Sequence, residues 1–180
     1  MGLMVLAALW GFAEATLFVI VPDVLLTGIA VRRGRRSALV ATAWTIAGAV
    51  AGGGLMYGWG MRDAAGAAAM LDRLPAIAPA MIAGVGADLQ RAGLPAMAIG
   101  AFSGVPYKIY AVMAPGAGIG LGAFLAASVP IRALRFVVVV FIADGLNRLL
   151  ARRLSARRRI ALLAAFWVVF YGGYFALMPN

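Results

Sequence analysis

Residues Ala38 to Met61 read ALVATAWTIAGAVAGGGLMYGWGM, without one charged side chain. As an α-helix this run is about 36 Å long at 1.5 Å per residue. That is enough to cross a hydrocarbon layer of about 30 Å with some tilt. Its glycines, from Gly48 through Gly52, Gly53, Gly54 and Gly58 to Gly60, let another backbone come close. The remainder of the chain has the same character. Of 180 residues, 64% are hydrophobic, and the mean hydropathy is +0.98. An ordinary soluble domain is about 45–50% apolar, so one small soluble core cannot hide this much apolar surface. The sequence predicts a single all-α integral membrane domain over residues 1–180.

Charge is placed accordingly. Sixteen Lys and Arg stand against six Asp and Glu, a net charge of +10. The arginines gather between apolar runs, at Arg32, Arg33, Arg35 and Arg36, and again from Arg148 through Arg152, Arg153, Arg157 and Arg158 to Arg159. That pattern fits cytoplasmic loops beside anionic lipid. It argues against nucleic acid as a partner, for which one continuous basic face is expected. The chain has no Cys and no His, which excludes disulfides, thiolate metal sites and histidine acid–base chemistry. No cofactor is expected. Met1 to Trp10 lacks the basic region that opens an ordinary signal peptide.

Outward from residues 38–61, two segments are apolar but broken. Met1 to Val31 carries Glu14 and Pro22-Asp23. As one helix it would be about 46 Å long, more than a bilayer core needs. Two halves folded as a re-entrant hairpin over 1–36, broken near Pro22, fit better than one long crossing. Leu94 to Pro130 carries Pro95, Pro106, Pro115 and four alternating glycines from Gly116 to Gly122. It reads as a second re-entrant hairpin over 94–130. Residues 62–93 form an Ala-rich connector with short helices or a solvated linker. Crossings are expected at 131–150 and 160–178. The former is the weakest, because its uncharged stretch, Phe136 to Ala143, is short and Arg132, Arg135 and Arg148 flank it.

Parity tests this arrangement. With both arginine clusters and the N-terminus in the cytoplasm, 38–61 leads out and 131–150 leads back. The two hairpins then enter from opposite faces. Hairpin and crossing occur twice, as an inverted repeat, with a final crossing added. Val21-Pro22 in the first hairpin echoes Val105-Pro106 in the second.

Three stretches resemble the DedA family, also called the VTT or SNARE-associated Golgi-protein family. The first is Glu14 with Pro22-Asp23. The second is Gly48-x3-Gly52-Gly53-x3-Tyr57-x2-Gly60-x-Arg62. The third is Phe102-x3-Pro106-Tyr107-Lys108-Ile109-Tyr110, continuing to Phe124 and to Arg132-x2-Arg135-Phe136, similar to the YqaA-like branch. The resemblance covers residues from about 10 to 140. It departs from the family pattern at Ser103, where an Arg is usual, and between Pro22 and Asp23, where a Gly is usual. It implies two opposed re-entrant hairpins. It also implies transport or scrambling of phospholipid or polyprenyl-phosphate lipid, coupled to protons in some members, in a bacterial inner membrane.

The site candidates are the ionisable groups inside these segments. Glu14 is costly at membrane depth unless it finds a cation or takes up a proton. Proton exchange during transport and a permanent pairing with arginine are both open. Asp23 is either a site carboxylate or a cap for the helix after Pro22. Lys108 meets a lipid phosphate, pairs with Glu14 or Asp23, or snorkels to the surface. Tyr107 and Tyr110 offer hydroxyls to a headgroup. Arg132 and Arg135 share a helix face and present planar forks suited to phosphate or carboxylate, or anchor the outer interface. Asp144 and Asn147 are expected to pair with Arg148 and nothing more. Two further functions compete with the lipid reading: a proton-driven small-solute exporter, and a non-transporting membrane scaffold. No spacing specifies an enzyme. The expected partners are membrane lipids, with anionic lipid at the basic loops, and the glycine-rich faces are compatible with a homo-oligomer.

Overall fold

A computed structural model describes residues 2–177. Met1 and Met178, which the expected first and last segments include, lie outside the described residues. Among the described residues the chain is helical throughout, with no strand. The helices are α1 (Gly2–Ala15), α2 (Asp23–Arg33), α3 (Arg35–Arg62), α4 (Ala64–Asp72), α5 (Pro79–Ala92), α6 (Pro95–Ser103), α7 (Tyr107–Met113), α8 (Leu121–Leu150) and α9 (Ala156–Leu177). Three of them, α3, α8 and α9, are long and apolar enough to cross a membrane. Together with the composition, they make this a membrane-embedded protein.

The first apolar segment breaks where Pro22 predicts. Proline lacks the N–H that would bond four residues back, and its ring crowds the carbonyl there. So α1 ends at Ala15 and α2 begins only at Asp23. The intervening turn is held by the Phe18 N–H bonding to Ala13 O at 2.8 Å, and by the Trp10 indole N–H bonding to Ile20 O at 2.9 Å. The second break follows the same logic. Helix α6 stops at Ser103, Gly104 takes a left-handed conformation at φ +87°, and α7 starts directly after Pro106. The positive φ is one that a side chain disfavours. In the connector, Asp63 caps α4 by accepting from the Gly66 N–H at 2.8 Å, and Pro79 occupies the first turn of α5.

One boundary is corrected. The last crossing before α9 does not begin at residue 131. Helix α8 starts at Leu121, ten residues inside the segment assigned to the second broken element, and carries Pro130 within it. Prolines are tolerated inside membrane helices, where neighbouring groups take up the freed carbonyl. The early start also removes the weakness expected of this crossing. The charge-free run from Leu121 to Ile131 precedes Arg132, so the helix is long enough without relying on Phe136 to Ala143 alone.

Helix α3 is the hub, packing against α1, α2, α7 and α8. Of the glycines expected to admit a neighbouring backbone, Gly48, Gly52 and Gly60 do so, whereas Gly53 makes room for the Tyr107 side chain and Gly58 meets nothing within 4 Å. A β-carbon on Gly48 would collide with the Ala8 carbonyl of α1, and one on Gly60 with the Val112 carbonyl of α7. Gly11 of α1 returns the contact against the main chain at Thr45. Around this hub lie two apolar clusters. One holds Met56, Leu71, Leu89, Ile109 and Phe124, and the other Leu26, Ile29, Phe136 and Val140. Helix α9 adds no buried residue to either.

These contacts set an expectation for stability. Gly48→Ala forces α1 off α3 and lowers the thermal midpoint in detergent, with a cost of about 1–3 kcal/mol, as for other overpacked sites. Gly58→Ala, whose β-carbon meets nothing within 4 Å, changes it by less than about 0.5 kcal/mol. Equal midpoints for the two variants would contradict the close α1–α3 approach.

Candidate functional site

Both breaks and one face of α8 meet at one place. A cavity of about 320 Å³ is lined by all six candidate residues, Glu14, Asp23, Tyr107, Lys108, Arg132 and Arg135. They come from distant parts of the chain. Glu14 is at the end of α1, Asp23 opens α2, Tyr107 and Lys108 open α7, and Arg132 and Arg135 lie one turn apart on α8. Val21 and Val105, the residues of the repeated Val-Pro dipeptide, also line it.

The charges are paired across the cavity. Arg132 donates from Nη2 to Glu14 Oε2, with both side chains almost fully buried. Its guanidinium also lies over the Tyr107 ring, 4.4 Å from the centroid, and over Phe136 at 5.1 Å. Arg135 stands 3.0 Å from Asp23 Oδ2. The angles of that contact fall short of a hydrogen bond, so both Asp23 oxygens lack a hydrogen-bond partner. Because no N–H of α2 bonds to the Asp23 carboxylate, the capping role weighed for it is set aside. Arg132 is buried and so is not an interface anchor, and Arg135 is also tied to an inner carboxylate.

Lys108 does not snorkel. It is 2% exposed, and its Nζ donates to the Phe18 carbonyl at 2.7 Å. Among the described residues it makes no ion pair with Glu14, Asp23 or any other carboxylate. Two carboxylates therefore face three cations, leaving one positive charge in excess. The Phe18 carbonyl is free for this bond because the chain has left α1 before Pro22. The break in the first segment thus anchors the lysine of the second.

The two tyrosines are less free than expected. Tyr107 donates to Ser128 Oγ at 2.9 Å, and Ser128 donates in turn to Phe124 O at 2.7 Å. Its ring stacks on Phe124 and leans against Gly53, where no β-carbon would fit. The Tyr110 hydroxyl is packed against Gly100 in the same way. Asn147 does not pair with Arg148. Its side chain donates to Val31 O at 3.4 Å and accepts from Arg159, whereas Asp144 pairs with Arg148 at 3.0 Å.

Sequence reasoning missed the outer wall. Phe166, Trp167, Phe170, Tyr171 and Tyr174 of α9 line the same cavity. The Tyr171 hydroxyl accepts from the Val21 N–H at 2.7 Å, and the Trp167 indole N–H donates to Thr27 Oγ1 at 3.0 Å. From sequence alone Trp167, Tyr171 and Tyr174, in the second half of the last apolar run, suit a membrane interface. The signal lay in the spacing of Trp167, Phe170, Tyr171 and Tyr174, which puts them on one helical face. No protein-family model, curated protein or solved structure matches the chain.

The ion pairs give a direct test. Arg132→Met leaves Glu14 buried without its guanidinium, at a cost of about 3–5 kcal/mol. Combining it with Glu14→Gln removes both charges and restores most of the lost thermal stability in detergent. A double variant as unstable as the single one would show that the pair is not the source.

Proposed function

We propose that this chain is a DedA-like membrane transporter or scramblase that carries the headgroup of a phospholipid or polyprenyl-phosphate lipid across the bilayer. The observation that carries the proposal is the gathering of Glu14, Asp23, Lys108, Arg132 and Arg135 around one cavity inside an apolar helical bundle. Ionisable groups at membrane depth are costly and mark pathways and binding sites. An excess of one positive charge suits an anionic phosphate group, and arginine forks suit its oxygens.

The two breaks support a finer reading. Helices α2 and α7 each begin directly after a Val-Pro pair, and both reach the cavity. In the proposed arrangement α1–α2 and α6–α7 are opposed re-entrant hairpins. Helices α3 and α8 are then the matching crossings of an inverted repeat. The headgroup passes between the breaks while its tails stay in lipid. On its way it exchanges contacts with Arg132, Arg135 and Lys108, which Glu14, Asp23 and the Phe18 carbonyl hold meanwhile. A proton taken up by Glu14 would release Arg132, which is how coupling to protons enters the proposal. The arginine-rich ends of α2, α3, α8 and α9 are assigned to the cytoplasmic side of a bacterial inner membrane, beside anionic lipid.

Translocation of fluorescent phospholipid and of a polyprenyl-phosphate probe in proteoliposomes tests this. The native chain is expected to move at least one of them. Glu14→Gln and Lys108→Ala each slow that movement by tenfold or more, roughly 1.4 kcal/mol on the barrier. No movement of either lipid by correctly inserted protein would turn the reading toward a solute exporter or a scaffold.

A further inference from the structure

The cavity has two kinds of wall. Its inner side carries the charges. Its outer side carries Phe102, near the end of α6, with Phe166 and Phe170 of α9. These three line the cavity and yet are 59%, 56% and 45% exposed. A residue that does both stands at a rim, so the cavity has a mouth between α6 and α9, and that mouth is edged by aromatic rings. Ile99 on α6 and Val169 on α9 are strongly exposed as well. In water such a rim would be unfavourable by about 25 cal/mol for each Å² of apolar surface. In hydrocarbon that cost vanishes. Such a rim suits contact with lipid tails better than with water.

One edge of this mouth is lightly held. Helix α9 has no buried residue. Its polar ties are the Val21 N–H, just before α2, donating to the Tyr171 hydroxyl, Trp167 donating to Thr27 of α2, and Arg159 donating to Asn147 at its start. Among the described residues α9 contributes to neither apolar cluster, so the α9 edge of the mouth is held apart from the core.

We infer that the mouth between α6 and α9 is a lateral portal, and that its aromatic rim is the subsite for the hydrocarbon tail of the lipid whose headgroup reaches the charges. Charges at one end and aromatic rings at the other match an amphiphile with a charged headgroup and a hydrocarbon tail. The inference rests on the lipid reading above and adds where the tail sits.

Two measurements test it. A lipid with a diazirine at the end of its acyl chain, photolysed in bilayers containing the native protein, is expected to label Phe102, Phe166 and Phe170. Labelling should be several-fold weaker at Leu9 and Leu134, which are also exposed. Even labelling of all five overturns the portal, whether or not the protein moves lipid. In the second measurement Phe102→Cys and Phe170→Cys are bridged by a reducible bis-thiosulfonate, in a chain with no native cysteine to compete. The bridge is expected to slow translocation about tenfold, with recovery when it is reduced. Equal rates before and after reduction overturn the portal while leaving lipid transport standing. If no translocation occurs in either state, the lipid-moving function fails, and the labelling pattern alone decides the portal.

Discussion

A carboxylate or a guanidinium carried alone into hydrocarbon costs several kcal/mol, and Glu14 and Arg132 meet that constraint together. Their contact joins the end of α1 to the middle of α8. Much else is arranged around it. Tyr107 lies under the Arg132 guanidinium, Ser128 fixes Tyr107, and Gly53 of α3 makes room for the tyrosine ring. Arg135, one turn along α8, repeats the pairing at Asp23, where α2 begins. In a low-dielectric interior such networks are strong when complete and costly when broken. That cost fixes how far α8 can slide or turn against the two breaks.

Close packing at α3 does the complementary work. Lipid tails are as apolar as leucine, so burial between membrane helices gains little from the hydrophobic effect. What is left is close contact, and Gly48 and Gly60 supply it by bringing the backbones of α1 and α7 against α3. The short helices are thus held by one rigid element, while the charges at their ends are held by another. The site lies between these two supports.

Much of this arrangement was legible in the sequence. Proline and glycine act through local geometry, so the breaks before Asp23 and Tyr107 could be placed from the chain alone. Charge in apolar context is equally plain, and the five charged residues it singled out share one cavity with Tyr107. What could not be read was partnership. Nothing in the spacing says that Glu14 takes Arg132 while Lys108 settles on a main-chain carbonyl, because those choices depend on how distant helices dock. Pro130 misled for a related reason. Proline usually ends or kinks a helix, yet α8 continues through Pro130, which lies on its exposed face. The role of α9 was hidden because aromatic rings at a membrane boundary and aromatic rings around a cavity have the same composition.

The reach of the charge pairs in sequence has a consequence for biosynthesis. Glu14 and Arg132 are separated by 118 positions, and Lys108 and its carbonyl by 90. At synthesis rates of about 5–20 residues per second, the guanidinium emerges roughly 6–24 s after the carboxylate it joins. Throughout that interval the Glu14 carboxylate of α1 lacks the Arg132 guanidinium it pairs with. Its final seat forms only when α8 arrives. A helix far along the chain thus completes the surroundings of the first one.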